Sequence, residues 1–316
     1  MKNMIKRLFS LVLLFTTLFL LVSCVNPVHS NKKTIVTTIF PHYSFTKEIV
    51  GDRWNVEVLL KPGQDSHNFD PSVSTVLSIN RADIFVYTAD EMEPWASKLI
   101  ENLEGKGPVI VNASKGIDLC LVSEEDHEHE DGSEHDPEHH HTYDPHIWTS
   151  IKNSIIMVKN ILTSICALDP DNANYYRANA EAYIAKLNLL DDDFRNVIDS
   201  AKNKKLFFVC PFALYYFVKD YGLEFESLYS TCSTEVEPTA KELIHFIEEI
   251  KEHNIKYIFN KELMSDDIPN KVAEETKTEI LVLHSGNNIS LKEYRNGVTY
   301  YDILKQNLEV LKKGLN

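Results

Sequence analysis

The sequence is poor in the residues that would mark several classes of protein. Its 316 residues include only 10 Gly and 12 Pro, too few for a collagen-like or low-complexity chain. Positive charge is also scarce, since 32 Lys and Arg stand against 47 Asp and Glu, and the net charge of −15 argues against nucleic-acid binding. With 43% hydrophobic and 25% charged residues, the chain is too apolar for disorder and too polar for a polytopic membrane protein. We therefore predict a globular chain of about two domains.

One long apolar run, residues 8–22, lies near the N-terminus behind three cations. It is too short for a membrane span, which needs about 20 residues, so we assign residues 1–23 to a signal peptide. The run leads into Leu-Val-Ser-Cys, which resembles a bacterial lipobox and implies cleavage before Cys24 with a lipid thioether on its sulfur. An ordinary secretory signal ending near a Cys is the alternative. Cleavage would change the net charge from −15 to −18 by removing the three cations, and residues 24–33 would form a tether.

Beyond the tether, short β-rich runs alternate with helical patterns, which is typical of βα units and a parallel sheet. In the first set, strands are predicted at residues 34–40, 55–60, 83–87 and 108–112, and helices at 43–50, 72–80 and 93–103. In the second set, strands are predicted at residues 205–210, 224–229, 256–260 and 279–283, and helices at 212–221, 238–253, 266–277 and 298–314.

A long helix is predicted between these two sets. Asp169-Pro170 has the pattern of a helix start, and no Gly or Pro follows until after residue 203. The predicted fold class is therefore α/β, with two lobes that each contain a four-stranded, mainly parallel sheet flanked by helices. The lobes comprise residues 34–168 and 204–316, and the helix at 169–203 joins them.

The most biased stretch, residues 124–146, contains seven His and ten Asp or Glu but no Lys or Arg. It is too polar to fold alone, so we expect a mobile loop at residues 124–143 within the first lobe. Imidazoles and carboxylates at this density suit borderline divalent ions such as Zn²⁺, although a solvated acidic loop or a chance cluster is the alternative. We predict that the loop collects metal and that the primary site lies elsewhere. The predicted auxiliary ligands are His127, His129, His135, His139, His140 and His141.

Three further histidines fall in turns at predicted strand ends, where open α/β sheets form their ligand crevice. His67 follows the strand at 55–60, His146 precedes a helix, and His284 follows the strand at 279–283. A lone His is more often structural or exposed than a ligand, but these three converge on one crevice, two from the first lobe and one from the second. A tetrahedral Zn²⁺ site takes three or four such ligands.

Three other histidines are predicted to have no part in the site. His245 and His253 are eight residues apart on an amphipathic helix and are expected to face solvent. His42 is likewise assigned no ligand role.

Short motifs are spread along the chain: Pro62-Gly63 before His67, Pro71-Ser72, Ala82-Asp83, Met92-Glu93-Pro94-Trp95, Asp144-Pro145-His146-Ile147-Trp148, Asp220-Tyr221-Gly222-Leu223, and Glu235 with Glu237-Pro238. Together with the His-rich loop they resemble the zinc and manganese substrate-binding lipoproteins of bacterial metal ABC importers, in which a rigid helix joins two lobes. The resemblance covers nearly all of the chain after the signal peptide. It implies metal ligands matching His67 and His146, a second-lobe His or Glu, and a C-terminal Asp or similar residue.

The second lobe departs from this family pattern. Counted back from Asp220-Tyr221-Gly222-Leu223, the usual third ligand position falls on Pro211, whose side chain cannot bind a metal. The usual C-terminal carboxylate position falls on His284. The chain is similar to a subgroup with CS-x-E-x-E and LHS-x-x-N segments, which lie here at residues 232–237 and 283–288. The resemblance thus implies a site with three histidines.

The fourth ligand stays open between Cys210, Cys232 and water. Cys210 ends a predicted strand and Cys232 lies in the turn after the next strand. Outside the cytosol the two cysteines could form a disulfide, one could bind Zn²⁺ as a thiolate, or both could be buried as small hydrophobic residues.

We therefore expect a non-enzymatic, extracytoplasmic receptor, lipid-anchored to a bacterial cell membrane. It would bind Zn²⁺ as a transported substrate and deliver it to a metal ABC permease and its ATPase. Zinc is preferred to Mn²⁺ because three proposed ligands are imidazoles, whereas Mn²⁺ sites lean to carboxylate oxygens, although the affinity order also favours Cu²⁺ and Ni²⁺. We expect a monomer that binds no nucleic acid.

Three alternatives stay open. One is a manganese receptor of the same family. Another is a surface-anchored zinc hydrolase, which would need an open coordination position and a general base, but the chain has no HExxH motif. The third is a lipoprotein adhesin whose acidic surface binds an external partner.

Overall fold

The computed structural model describes six stretches of the chain: residues 32–64, 69–90, 92–103, 107–122, 142–229 and 237–316. The predicted signal peptide and Cys24 lie outside them, so processing at Cys24 stays a prediction. Lys33–Asn316 packs as one unit. The predicted lobe boundaries at residues 168 and 204 therefore also stay predictions, and the two sheets are described below as the N-terminal and C-terminal halves.

Four parallel strands form the sheet of the N-terminal half, in the order β2-β1-β3-β4. The elements are β1 (Thr34–Thr37), α1 (Phe40–Val50), β2 (Asn55–Val58), α2 (Val73–Arg81), β3 (Ile84–Tyr87), α3 (Pro94–Glu101) and β4 (Val109–Asn112). All four predicted strands and all three predicted helices are present. The central strands β1 and β3 are almost entirely buried, as expected for a parallel sheet with both faces covered.

The first predicted strand was too long. We expected it to reach residue 40, but β1 ends at Thr37 and Phe40 begins α1. Pro41 explains the difference, because its fixed φ suits the first turn of a helix and it has no N–H to donate to a neighbouring strand.

A two-stranded antiparallel sheet was not predicted. It pairs β5 (Leu121–Val122) with β6 (Thr142–Tyr143). The pairing brings residues 122 and 142 side by side, at the two ends of the stretch 123–141. That stretch contains all six predicted auxiliary histidines and lies outside the described residues.

Two long helices follow. In α4 (Ile151–Leu168), Ser150 accepts a hydrogen bond from the backbone N–H of Asn153 and caps the N-terminus. Within the described part of the chain, α4 is the only helix long and apolar enough to cross a membrane; one of its faces is buried in the core against neighbouring helices. The next helix, α5 (Ala173–Asp199), has 27 residues and is therefore about 40 Å long.

The long helix α5 contacts elements of both halves. Its buried residues recur every three or four positions, from Tyr176 through Tyr183 and Leu187 to Phe194 and Ile198, which gives it one continuous apolar stripe. That stripe packs on α1 and α4 of the N-terminal half and on helices of the C-terminal half. The predicted helix at 169–203 is thus present, with a 3₁₀ turn in place of its first residues.

A second parallel sheet forms the C-terminal half, in the order β10-β9-β7-β8. Its elements are β7 (Lys205–Phe208), α6 (Tyr215–Tyr221), β8 (Glu224–Ser227), α7 (Ala240–Glu252), β9 (Tyr257–Asn260), α8 (Asp267–Thr276), β10 (Glu279–Val282), α9 (Leu291–Arg295) and α10 (Tyr300–Gly314). Only the short helix α9 was not predicted. Two four-stranded parallel sheets flanked by helices, with the long helix α5 between them in sequence, confirm the predicted fold class.

Candidate metal centre

Of the three histidines predicted to bind metal, the structure describes His146 and His284. His67 lies outside the described residues, as do Cys232 and the six auxiliary histidines, so their roles stay predictions. His146 and His284 are both buried, with 1% and 7% of their surface exposed. A buried imidazole needs a polar partner or a ligand, so the surroundings of each ring indicate its function.

His146 is held by a carboxylate two residues away. It lies between β6 and a 3₁₀ turn, and Asp144 Oδ1 accepts its backbone N–H at 2.8 Å. The same oxygen is 3.2 Å from His146 Nδ1. Because an ionised carboxylate only accepts hydrogen bonds, Nδ1 carries the proton and the lone pair of the ring lies on Nε2. This is the arrangement found in metal-ligating histidines.

His284 follows β10 by two residues, and its backbone is fixed by Asn307 of α10. The Asn307 amide accepts the N–H of His284 at 2.9 Å and donates to its carbonyl at 2.7 Å. Nδ1 of His284 accepts the N–H of Gly286 at 2.9 Å, and Glu262 Oε2 lies 3.6 Å from the same nitrogen. Nε2 is buried and has no hydrogen-bond partner among the described residues.

The segments that carry these two histidines meet. Trp148, two residues after His146, donates its indole N–H to the carbonyl of Ser285 at 3.0 Å. Gly286 has a φ of 74°, and a Cβ at this position would lie 3.1 Å from a ring carbon of Tyr300 and 3.8 Å from Trp148. Close packing therefore joins the turn after β10 to the turn after β6, and a side chain at residue 286 would disrupt it.

The segment that leads to His67 also reaches this region. Asn288, four residues after His284, donates its side-chain amide to the carbonyls of Lys61 and Gln64 at 3.1 and 2.5 Å. The chain is thus anchored to the C-terminal half three residues before His67. Contacts between the halves place the segments of His146 and His284, and the described residues that precede His67, in the same part of the molecule.

The structure describes Cys210, one candidate for the fourth ligand. It is buried two residues after the end of β7, with its sulfur 4.0 Å from the carbonyl of Phe259. Burial raises the pKa of the Cys210 thiol to about 12, so the thiol is protonated in the metal-free protein. Because a bound zinc ion itself favours the thiolate, Cys210 and Cys232 both stay predictions. No disulfide joins Cys120, Cys166 and Cys210 to one another.

The described residues alone do not complete a metal site. No group of three or more His, Cys, Asp or Glu among them is arranged to hold a metal ion. A complete site would need ligands from stretches that the structure does not describe, and those stretches contain His67 and Cys232.

The three histidines that we placed outside the site differ in their exposure to solvent. His245 and His253 are exposed on and just after α7, as predicted. His42 of α1 is fully buried, and neither ring nitrogen has a hydrogen-bond partner within the described ranges. Burial lowers the pKa of His42 to about 3. The sequence pattern did not predict this burial.

Residues 35–314 match the family model described as zinc-uptake complex component A, periplasmic, or ZnuA. The chain belongs to the ZnuA family. Membership confirms the family resemblance predicted from the motifs, and it places the protein among metal-binding transport receptors, which are not enzymes.

Two relatives within the ZnuA family illustrate the extent of the match. The high-affinity zinc uptake system protein ZnuA of Bacillus subtilis strain 168 is 38% identical over 285 residues, which cover 90% of this chain and 88% of the relative. The zinc-binding lipoprotein AdcA of Streptococcus pneumoniae serotype 4 is 35% identical over 309 residues, 96% of this chain. The chain spans only 60% of the length of that longer relative.

Solved structures of ZnuA-like proteins share the fold. The metal-dependent lipoprotein YcdH of Bacillus subtilis has 35% identity and a TM-score of 0.76, over 90% of this chain and 99% of that one. The Zn(II)-bound ZnuA-like domain of Streptococcus pneumoniae AdcA has 31% identity and a TM-score of 0.75, with the same coverage.

Proposed function

We propose that this protein is the zinc-binding receptor of a high-affinity zinc-uptake ABC system, in which Zn²⁺ is the transported substrate. The observation that carries the proposal is the contact between Trp148 and Ser285, because it joins the two segments, one from each half, that carry the buried His146 and His284. The zinc-binding relatives of the ZnuA family support the same substrate.

We assign His67, His146 and His284 as the zinc ligands. Asp144 fixes the lone pair of His146 on Nε2, and Nε2 of His284 is a buried polar atom that an ion would satisfy. Imidazole ligands favour Zn²⁺ over Mn²⁺, which prefers oxygen. The fourth ligand is Cys232, Cys210 or water.

The same contacts account for capture and release. Trp148 and Asn288 keep the two halves in register, so the segments of His146 and His284 are already joined when zinc arrives. Displacement of one half by the permease would separate His146 from His284 and lower the affinity. The His-rich stretch, whose ends are paired by β5 and β6, would collect zinc near the site.

The receptor works outside the cytoplasm, anchored by a lipid on Cys24, as a monomer. Its partners are the permease and ATPase of a metal ABC importer. The lipoproteins among its relatives support this location.

Zinc calorimetry on the purified protein lacking the signal peptide tests the proposal. We expect one tight site, its loss in His146→Ala and in His284→Ala, and its retention in His253→Ala, which changes an exposed histidine. Tight zinc binding that survives in both His146→Ala and His284→Ala would show that the site lies elsewhere.

A further inference from the structure

Glu262 and His284 occupy equivalent positions on neighbouring strands. In the parallel pair of β9 and β10, the last residue of β9, Asn260, is in register with the last residue of β10, Val282. Glu262 and His284 each lie two residues beyond these strand ends. The register therefore places a carboxylate beside the imidazole. Both side chains are almost fully buried, with 9% and 8% of their surface exposed.

Glu262 is bound to the turn that carries His284. Its Oε2 accepts the backbone N–H of Ser285 at 2.8 Å, and its Oε1 accepts the Ser285 hydroxyl. The same Oε2 lies 3.6 Å from His284 Nδ1, slightly beyond hydrogen-bond distance. A carboxylate oxygen can accept a second hydrogen bond, so Oε2 is available to Nδ1 after a small rotation of the ring.

The backbone N–H of Gly286 requires Nδ1 of His284 to act as an acceptor instead. It donates to Nδ1 at 2.9 Å, which leaves the single proton of a neutral imidazole on Nε2. A metal at Nε2 requires the other tautomer, with the proton on Nδ1 and an acceptor to receive it. Two N–H groups would then face each other at Gly286, and Glu262 is the acceptor that relieves this conflict.

We propose that Glu262 is a positioning residue of the zinc site, one whose carboxylate accepts a hydrogen bond from the Nδ1–H of His284 when Nε2 binds the ion. The inference rests on the proposed function, since it takes His284 as a zinc ligand. His284 would then have a carboxylate partner at Nδ1, as His146 has in Asp144, whose Oδ1 lies 3.2 Å from His146 Nδ1.

Glu262→Gln tests this role because the amide keeps the size of the side chain while offering donors beside its single acceptor. We expect its zinc affinity to fall by about 10–100-fold, the range seen when outer partners of metal-binding histidines are removed. Glu275→Gln is the matched control, since it makes the same substitution at an exposed carboxylate of α8, and we expect no change in zinc affinity. Glu262→Asp keeps the charge and should recover part of the affinity.

Nuclear magnetic resonance of the zinc-loaded protein separates this role from a merely structural one. We expect a downfield Nδ1–H signal of His284 in the wild type and a shift of that signal in Glu262→Gln. The inference fails if wild type binds zinc, His284→Ala loses it, and Glu262→Gln or, should that variant not fold, Glu262→Ala keeps wild-type affinity and signal. If His284→Ala keeps wild-type affinity, the proposed site itself is wrong, and the role of Glu262 is wrong with it.

Discussion

The two halves hold their candidate zinc ligands in different ways. In the N-terminal half, Asp144 binds both the backbone N–H and the ring of His146, so one short segment is sufficient. In the C-terminal half, His284 depends on Asn307, 23 residues away, and on the strand register that places Glu262 beside it. We conclude that His146 is oriented by local chain geometry, whereas His284 is oriented by the packing of β9, β10 and α10.

The largest expected effect tests whether both halves are needed. Zinc at about a thousandfold above its dissociation constant should stabilise the native state by about 4 kcal/mol, because the unfolded chain cannot unite distant ligands. His146→Ala or His284→Ala should remove most of that gain, measured as the zinc-dependent shift in thermal unfolding. His245→Ala, at an exposed position, should keep it. Equal stabilisation of all variants would contradict a site shared between the halves.

Asn307→Ala tests the dependence of His284 on distant packing. It leaves the buried N–H and carbonyl of His284 without their partner, which should lower the free energy of unfolding by about 2–3 kcal/mol even without zinc. Urea unfolding of the zinc-free protein measures this change. A wild-type free energy of unfolding would show that the turn after β10 is held by other contacts.

Asp144→Asn tests the local arrangement. The amide oxygen can still accept the backbone N–H of His146, so we expect little loss of zinc-free stability. Zinc affinity should fall by about 10–100-fold, because the ring loses the charged acceptor that sets its tautomer. Calorimetry at fixed pH gives the affinity, and a large loss of zinc-free stability would mean that Asp144 is chiefly structural.

The smallest expected effect concerns His42, a buried histidine of the N-terminal half with no ligand role. Burial lowers its pKa to about 3, so the stability of its neutral form is present above pH 6.5 and is lost as the pH falls towards 3. Between pH 6.5 and 5 this loss amounts to about 2 kcal/mol. His42→Leu should be less sensitive to acid over that interval in urea unfolding, and identical pH profiles would contradict the burial of an unpaired ring.

The sequence predicts most of the fold but only part of the site. Runs of β-branched and aromatic residues locate all eight strands of the two sheets. The strand-end rule identifies the turn of His284, and the motif Asp144-Pro145-His146-Ile147-Trp148 identifies His146. Asp144 is recognisable because it lies within the same short motif as His146. Asn307 and Glu262 carry no local signal, because their roles arise from the docking of α10 and the register of β9 with β10. The burial of His42 likewise depends on tertiary packing around α1.

A crystal structure of the zinc-loaded protein, with anomalous differences recorded at the zinc absorption edge, tests the central claim most directly. The account predicts one strong peak about 2.0–2.1 Å from Nε2 of both His146 and His284. A tightly bound zinc ion coordinated by residues of only one half would contradict it.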